Sequence, residues 1–157
     1  MRYANGERST LVDETSQKVL EEYLRDSRQS FREVARKIGI SSGTVANRIK
    51  DLEEEGIIKK YTTQLDYEKL GYELTAISEI IVSEGMMIEV GNEIAKICEA
   101  ISVYNVTGDS DILVIAKFKT RQDLSDFTKT LLKMPHVVRT KTHVVLNTLK
   151  EDPTLLP

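Results

Sequence analysis

Residues 40–61 read "ISSGTVANRIKDLEEEGIIKKY". Small polar and basic side chains crowd the start of this stretch, and three consecutive glutamates, Glu53 to Glu55, crowd its end. Val45, Ile49 and Leu52 recur at spacings of four and three, the signature of one buried helical face. Ser41 stands where an N-cap serine belongs, and Gly56 where a left-handed residue closes a helix. Such an asymmetric helix suits a surface whose first half meets an anion and whose second half does not.

Two more short helices are expected upstream. In "DETSQKVLEEYLRDS", Asp13 is the candidate cap, and Val19, Leu20, Tyr23 and Leu24 share helical spacing. In "SFREVARKIG", Ser30 caps, Phe31, Val34, Ala35 and Ile38 form the apolar stripe, and Gly39 ends the helix. The "GIS" connection to the third helix has the size of the turn in a helix-turn-helix. Residues 1–11 lack periodicity and read as a flexible arm. Residues 57–65 read as extended, and residues 61–71 as a hinge after a first domain over 12–60.

The formal net charge is −3, which by itself argues against a general nucleic-acid binder. Its distribution argues differently. Between Arg28 and Lys50 stand Arg28, Arg32, Arg36, Lys37, Arg48 and Lys50 against one acid, Glu33, so 6 − 1 gives a local +5. Local patches, rather than totals, steer phosphates. No apolar stretch approaches the roughly 20 residues of a membrane-spanning helix. The start, "MRYANGERSTLVDE", has no apolar leader core. The single cysteine, Cys98, excludes an internal disulfide and a cysteine-based zinc cluster. These features favour the cytoplasm.

A helix that enters the major groove needs small residues for close approach and donors for phosphates and base edges. Ser41, Ser42, Gly43, Thr44, Asn47, Arg48 and Lys50 supply them. Asn47 matches adenine, Arg48 matches guanine, and Lys50 suits a phosphate, with Arg32 on the preceding helix as a further anchor. Beyond Leu52 the helix leaves the groove, so Glu53 to Glu55 are tolerated. A plain cap or a solvated face accounts for any one of these residues. Three helices, a short turn, a basic patch and a switch in polarity together point to double-stranded DNA.

The second half has another rhythm. "LTAISEIIVSE" reads as a strand and "MMIEVGNEIAKICEA" as a helix, with Ile88, Val90, Gly91, Ile94, Ile97 and Cys98 on one face. "ISVYNVTGDSDILVIAKFKT" reads as a hairpin, and "RQDLSDFTKTLLKM" as a helix with Leu124, Phe127, Leu131 and Leu132 inward. "VVRTKTHVVLNTL" reads as a last strand. The order βαββαβ over residues 72–150 is the ferredoxin-like plan, and residues 151–157 read as a tail. The fold class is α+β. Its helices cover only one sheet face, and a second copy of the chain is the simplest cover for the other.

Residues 12–76 and the segment "YNVTGDSDILVIAKFKTRQDLSDFTKTLLKMPHVVRTKTHVVLNTLK" together resemble the Lrp/AsnC (feast/famine) transcription regulators. "LEEEGIIKKY" and "VTGDSD…PHVVRTKTHVVL" carry the likeness most specifically. The resemblance implies a winged helix-turn-helix, a hinge and a ferredoxin-like ligand-binding module. It implies homodimers pairing through their sheets and assembling to octamers, and an amino acid effector bound between dimers rather than a cofactor. It assigns that site to Thr107, Gly108, Asp109 and Asp111 in the hairpin turn and to Thr140 and Thr142 on the last strand. There a carboxylate such as Asp111 would meet the ammonium, while backbone N–H groups and threonine hydroxyls would meet the carboxylate. Read without the resemblance, Asp109 and Asp111 are ordinary turn formers.

Three positions depart from the family pattern. Ser110 stands where an aromatic is common between the two acids. "SSGT" replaces the usual "SPST", and Asn47 stands where arginine is frequent. Sirohaem decarboxylases share the two-domain plan, but "VYNVTGDSDILV" lacks the histidine of their hairpin. A metabolite-sensing module that does not read DNA is the other alternative. His136 and His143 have no metal-ligand spacing, Cys98 reads as core, and Met86 and Met87 read as packing at a helix start. No nucleophilic triad order or Gly-rich phosphate loop is present.

Overall fold

The computed structural model describes residues 12–152. The predicted arm, and the tail beyond Asp152, lie outside them. The chain forms two compact units, which meet between Thr63 and Gln64.

In the first unit, α1 (Glu14–Arg25), α2 (Phe31–Ile38) and α3 (Ser42–Glu54) follow one another closely. Each starts on the cap that the sequence nominates. Asp13 Oδ1 accepts the Ser16 N–H at 2.8 Å, and Ser41 Oγ accepts that of Thr44 at 3.0 Å. Ser30 and Glu33 form a reciprocal capping box. Gly56 takes a φ of 70°, and the N–H groups of Gly56 and Ile57 donate back to Glu53 and Leu52 at 3.0 and 2.9 Å. This closing geometry needs a left-handed residue, which glycine supplies without strain.

Val19, Tyr23, Val34, Ala35, Val45 and Ile49 bury one another, with Ile38, Ile40 and Ile58 packed against them. Leu24 and Phe31, expected on the inner stripes, are instead exposed. Three short helices enclose a small core, and apolar residues at its rim stay wet. Residues 57–65, expected to be extended, begin with a bend at Ile57 and Ile58 and form no strand ladder among the described residues. Glu22 braces the helices, with Lys37 Nζ at 2.8 Å and Arg25 Nη1 at 2.9 Å from its two carboxylate oxygens.

The second unit is a four-stranded antiparallel sheet of β1 (Leu74–Val82), β2 (Ala100–Asn105), β3 (Ile112–Phe118) and β4 (Val137–Val144), in the order β2-β3-β1-β4. This is the ferredoxin-like arrangement. α4 (Met87–Ile94) and α5 (Arg121–Lys133) cover one face, where Ala76, Ile80, Ile112, Val114 and Phe118 meet Val90, Ile94, Phe127 and Leu131. Met86 and Met87 pack at the start of α4, as their positions suggest.

Several side-chain placements differ from the periodic reading. α4 ends at Ile94, so Cys98 leaves the helical register and is exposed rather than core. Ile88 and Leu132 also face outward, at 56% and 51% exposure, because α4 and α5 each contact the sheet along a narrow strip. Lys117 departs in the other direction. It lies on the open sheet face yet its side chain is only 8% exposed. Its ammonium reaches Thr75 Oγ1 at 3.2 Å and Glu151 at 2.8 Å and lies 5.3 Å from the Tyr67 ring. The segments entering and leaving this unit therefore cover one end of the open face.

The Lys37 hydrogen bond, followed by the nearby Lys37 and Arg25 charges, holds the Glu22 carboxyl below its ordinary range. A depressed carboxyl stabilises the fold above the unfolded-state value and loses that contribution as pH falls through the folded one. Wild type is therefore expected to melt above Glu22→Gln at pH 7, with the gap closing below the ordinary glutamate range. Melting curves of both proteins between pH 7 and pH 3 check this.

Candidate nucleic-acid interface

Burial of Val45, Ile49 and Leu52 fixes the rotation of α3. The opposite face then presents Gly43, Asn47, Lys50, Asp51 and Glu54, all exposed, with Ser41 and Ser42 exposed at its start. Asn47 and Lys50 are three positions apart and so are neighbours on one face. Glu54 lies seven residues beyond Asn47, about 10 Å further along the axis. Both outward acids thus lie C-terminal to Asn47, Asp51 one turn and Glu54 two turns beyond it. Lys50 Nζ is a loose 3.6 Å from Glu54, while Glu53 is engaged sideways by the Tyr61 hydroxyl at 2.9 Å. Burial, and then this bond, push the Tyr61 phenol up to about 12.

The other expected DNA contacts differ in availability. Arg32 is exposed on α2. Ser41 Oγ is used by the cap and lies 2.8 Å from Thr44 Oγ1, so these two hydroxyls hold each other. Thr44 and Arg48 are half-buried on one flank of α3. Arg48 Nη2 lies 2.8 Å from Asp13 Oδ2. Bonds from the Ser16 backbone and hydroxyl, with the Arg48 charge adding to them, hold the Asp13 carboxyl below its usual range. Sequence reading does not find this pair, because Asp13 and Arg48 are distant in the chain and each has a sufficient local explanation.

The candidate effector residues lie toward one end of the sheet, except Thr142, which pairs with Ser78 midway along β1. Thr107, Gly108 and Asp109 are exposed at the hairpin tip, and Gly108 has a φ of 122°. The Asp111 N–H donates to the Ile80 carbonyl, and Ile80 pairs with Thr140 across β1 and β4. The turn and Thr140 therefore flank β1, two strand spacings or roughly 10 Å apart. Asp111 Oδ2 accepts the Val82 N–H at 2.8 Å, so one carboxylate oxygen fastens the turn to β1. Thr142 shares a 3.0 Å hydrogen bond with the buried Ser78 hydroxyl. Ser110 has its own use. Its hydroxyl donates to Glu79 Oε2 at 2.9 Å, and His143 Nε2 lies 2.9 Å from the other Glu79 oxygen. These two bonds, Ser110 first, lower the Glu79 carboxyl.

A DNA-binding helix-turn-helix unit and a ferredoxin-like unit define the class. Residues 12–59 match the winged helix-turn-helix DNA-binding family, and residues 75–155 match the Lrp/AsnC ligand-binding domain. An HTH-type transcriptional regulator of Pyrococcus abyssi is 45% identical over 94% of this chain and 100% of its own length. A Neisseria meningitidis transcriptional regulator, solved as an L-Met complex, superposes with a TM-score of 0.85 at 26% identity, covering 92% of this chain and 96% of its own. AsnC of Escherichia coli has the same fold, with a TM-score of 0.86 at 21% identity over 94% and 99% of the two chains.

The chain belongs to the Lrp/AsnC family. It is a DNA-binding transcription regulator and not an enzyme, which settles the decarboxylase alternative.

The start of α3 must be both capped and tolerant of phosphate. Ser41→Asp keeps a capping oxygen but adds negative charge there. Its melting temperature is expected to stay near wild type while DNA affinity falls. Ser41→Ala is expected to lose about 1 kcal/mol of stability. Chemical denaturation and a mobility-shift titration on the same preparations separate the two effects.

Proposed function

We propose that the outward row of α3, Ser42, Asn47 and Lys50, reads operator DNA in the major groove, with Thr44 and Arg48 on its flank and Arg32 as a phosphate anchor. The observation that carries this reading is the rotation of α3. With Val45, Ile49 and Leu52 buried, the exposed positions of its first two turns are small or donor-bearing, and the first outward acid follows them. Asn47 is the candidate base reader and Lys50 a phosphate contact.

The regulator works in the cytoplasm as a homo-oligomer. The sheet face left open by α4 and α5 carries Ile77, Ile81, Leu113 and Ile115, and a second copy covers it. Two-fold pairing presents two α3 helices to successive major grooves, so the operator is pseudo-palindromic. Dimers then assemble further, to an octamer. An amino acid effector binds between dimers at the exposed turn of Thr107, Gly108 and Asp109, with Thr140 nearby. The L-Met bound to the Neisseria meningitidis relative supports an amino acid as its chemical class. Asp111 and Thr142 shape this site from behind, since their bonds to Val82 and Ser78 already engage them. Effector binding favours one assembly over another and so changes the spacing of the DNA-reading helices.

DNA reading is checked by selecting a binding site from randomised duplex and titrating variants on it. Lys50→Ala is expected to weaken binding on all sequences and to reduce the salt slope by about one. Asn47→Ala is expected to relax preference at one base pair per half-site, a loss of roughly 1–3 kcal/mol of discrimination. A wild-type protein that selects no consensus ends this reading.

The effector is sought by melting the protein against each of the twenty amino acids, with Asp109→Ala in parallel. A ligand at a hundredfold its Kd stabilises by about 2.7 kcal/mol, a rise on the order of 5 °C or more. A hit that Asp109→Ala loses places the site at the turn. A hit retained by Asp109→Ala moves it elsewhere.

A further inference from the structure

Asp13 has two jobs, and only one of them concerns the stability of α1. Its Oδ1 accepts the Ser16 N–H at 2.8 Å and completes the N-cap. Its Oδ2 is not needed for that cap and lies 2.8 Å from Arg48 Nη2. The side chains of Arg48 and Asp13 are 36% and 50% exposed, and ion pairs this wet add little to stability. What the pair does fix is direction. A guanidinium is planar and its five donors form a rigid fork, so holding one amino group of Arg48 sets the plane of the rest. Arg48 sits one turn beyond Thr44 on the flank of α3, beside the outward row of Asn47 and Lys50.

We propose that Asp13 is a positioning residue for operator recognition, holding Arg48 through one amino group so that its remaining donors meet the DNA in a single orientation. This rests on the assignment of α3 as the reading helix. Pre-orientation removes the ordering cost that a free arginine incurs on binding. The Asp13 carboxylate also offsets the Arg48 charge, so the residue gains little from an arbitrary phosphate. Both effects favour the correct site over other DNA.

Asp13→Asn separates the two jobs, because an asparagine oxygen caps a helix about as well as aspartate does but forms no ion pair. The wild type first selects a consensus from randomised duplex. Asp13→Asn, Arg48→Lys and the double variant are then titrated on that consensus, on each single-base change and on a scrambled duplex, with melting curves as a fold control. Asp13→Asn is expected to melt near wild type and to bind scrambled DNA as well or better. Its discrimination between consensus and scrambled DNA is expected to fall about tenfold.

Arg48→Lys, which keeps the charge and loses the fork, is expected to relax preference at the same base pair. The double variant is expected to lose no more than either single one. Asp13→Asn with undiminished discrimination overturns the proposal, as does relaxation at a base pair different from the one Arg48→Lys affects. If Asp13→Asn melts well below wild type, the Asp13→Ser variant, which also caps without charge, takes its place under the same criteria. Failure of the wild type to select any consensus would instead sink the assignment of α3 itself.

Discussion

Burial of Val45, Ile49 and Leu52 is the constraint on which the outward face of α3 depends. These three side chains are at most 4% exposed, and a helix with three such anchors has no freedom to rotate. Once that stripe faces Val19, Tyr23 and Val34, the positions of Gly43, Asn47 and Lys50 on the outside follow from helical geometry alone. The cap at Ser41 and the close at Gly56 then fix where the helix begins and stops. The face that α3 presents outward thus rests on an apolar contact buried beneath it.

The ligand-binding unit solves a different problem. Its two helices shield one face of a four-stranded sheet, and the other face is dealt with piecemeal. At one end, the entering and leaving segments fold over Lys117 and supply its ammonium with a hydroxyl, a carboxylate and an aromatic ring. At the other end, Ser110 and His143 converge on Glu79, so the hairpin turn is tied across the sheet to β1 and β4. Between them lies an apolar stretch of Ile77, Ile81, Leu113 and Ile115 that α4 and α5 do not cover. The hairpin turn is thus tied to the sheet by side-chain bonds, and the middle of the open face is apolar.

The departure of Ser110 from the family pattern illustrates how a substitution can exchange roles. An aromatic in that turn would offer a ligand an apolar face. A serine instead donates to Glu79 and draws the turn toward the sheet. Asp111 shows the converse. Its residue type suggests an ammonium partner, and in the folded chain one of its carboxylate oxygens also accepts the Val82 N–H. Turn acids so often bond neighbouring backbone that composition alone does not distinguish the two uses.

The sequence by itself determined the element order, the three helix caps, the α3 stripe and the ferredoxin-like plan. Each of these is written in local chemistry: a hydroxyl or carboxylate before a helix, a glycine after it, a period of 3.6 or 2 in between. Cys98, Ile88 and Leu132 were misplaced by the same rule, since periodicity assigns a face to a helix but not how much of that face finds a partner. Only the tertiary structure decided that Asp13 meets Arg48, that Glu151 and Tyr67 enclose Lys117, and that Asp111 and Thr142 turn their polar atoms inward. These contacts join residues far apart in the chain, and each partner is locally content as a cap, a strand lysine or a turn acid. Nothing in the spacing of residues announces a meeting that the packing of separate elements brings about.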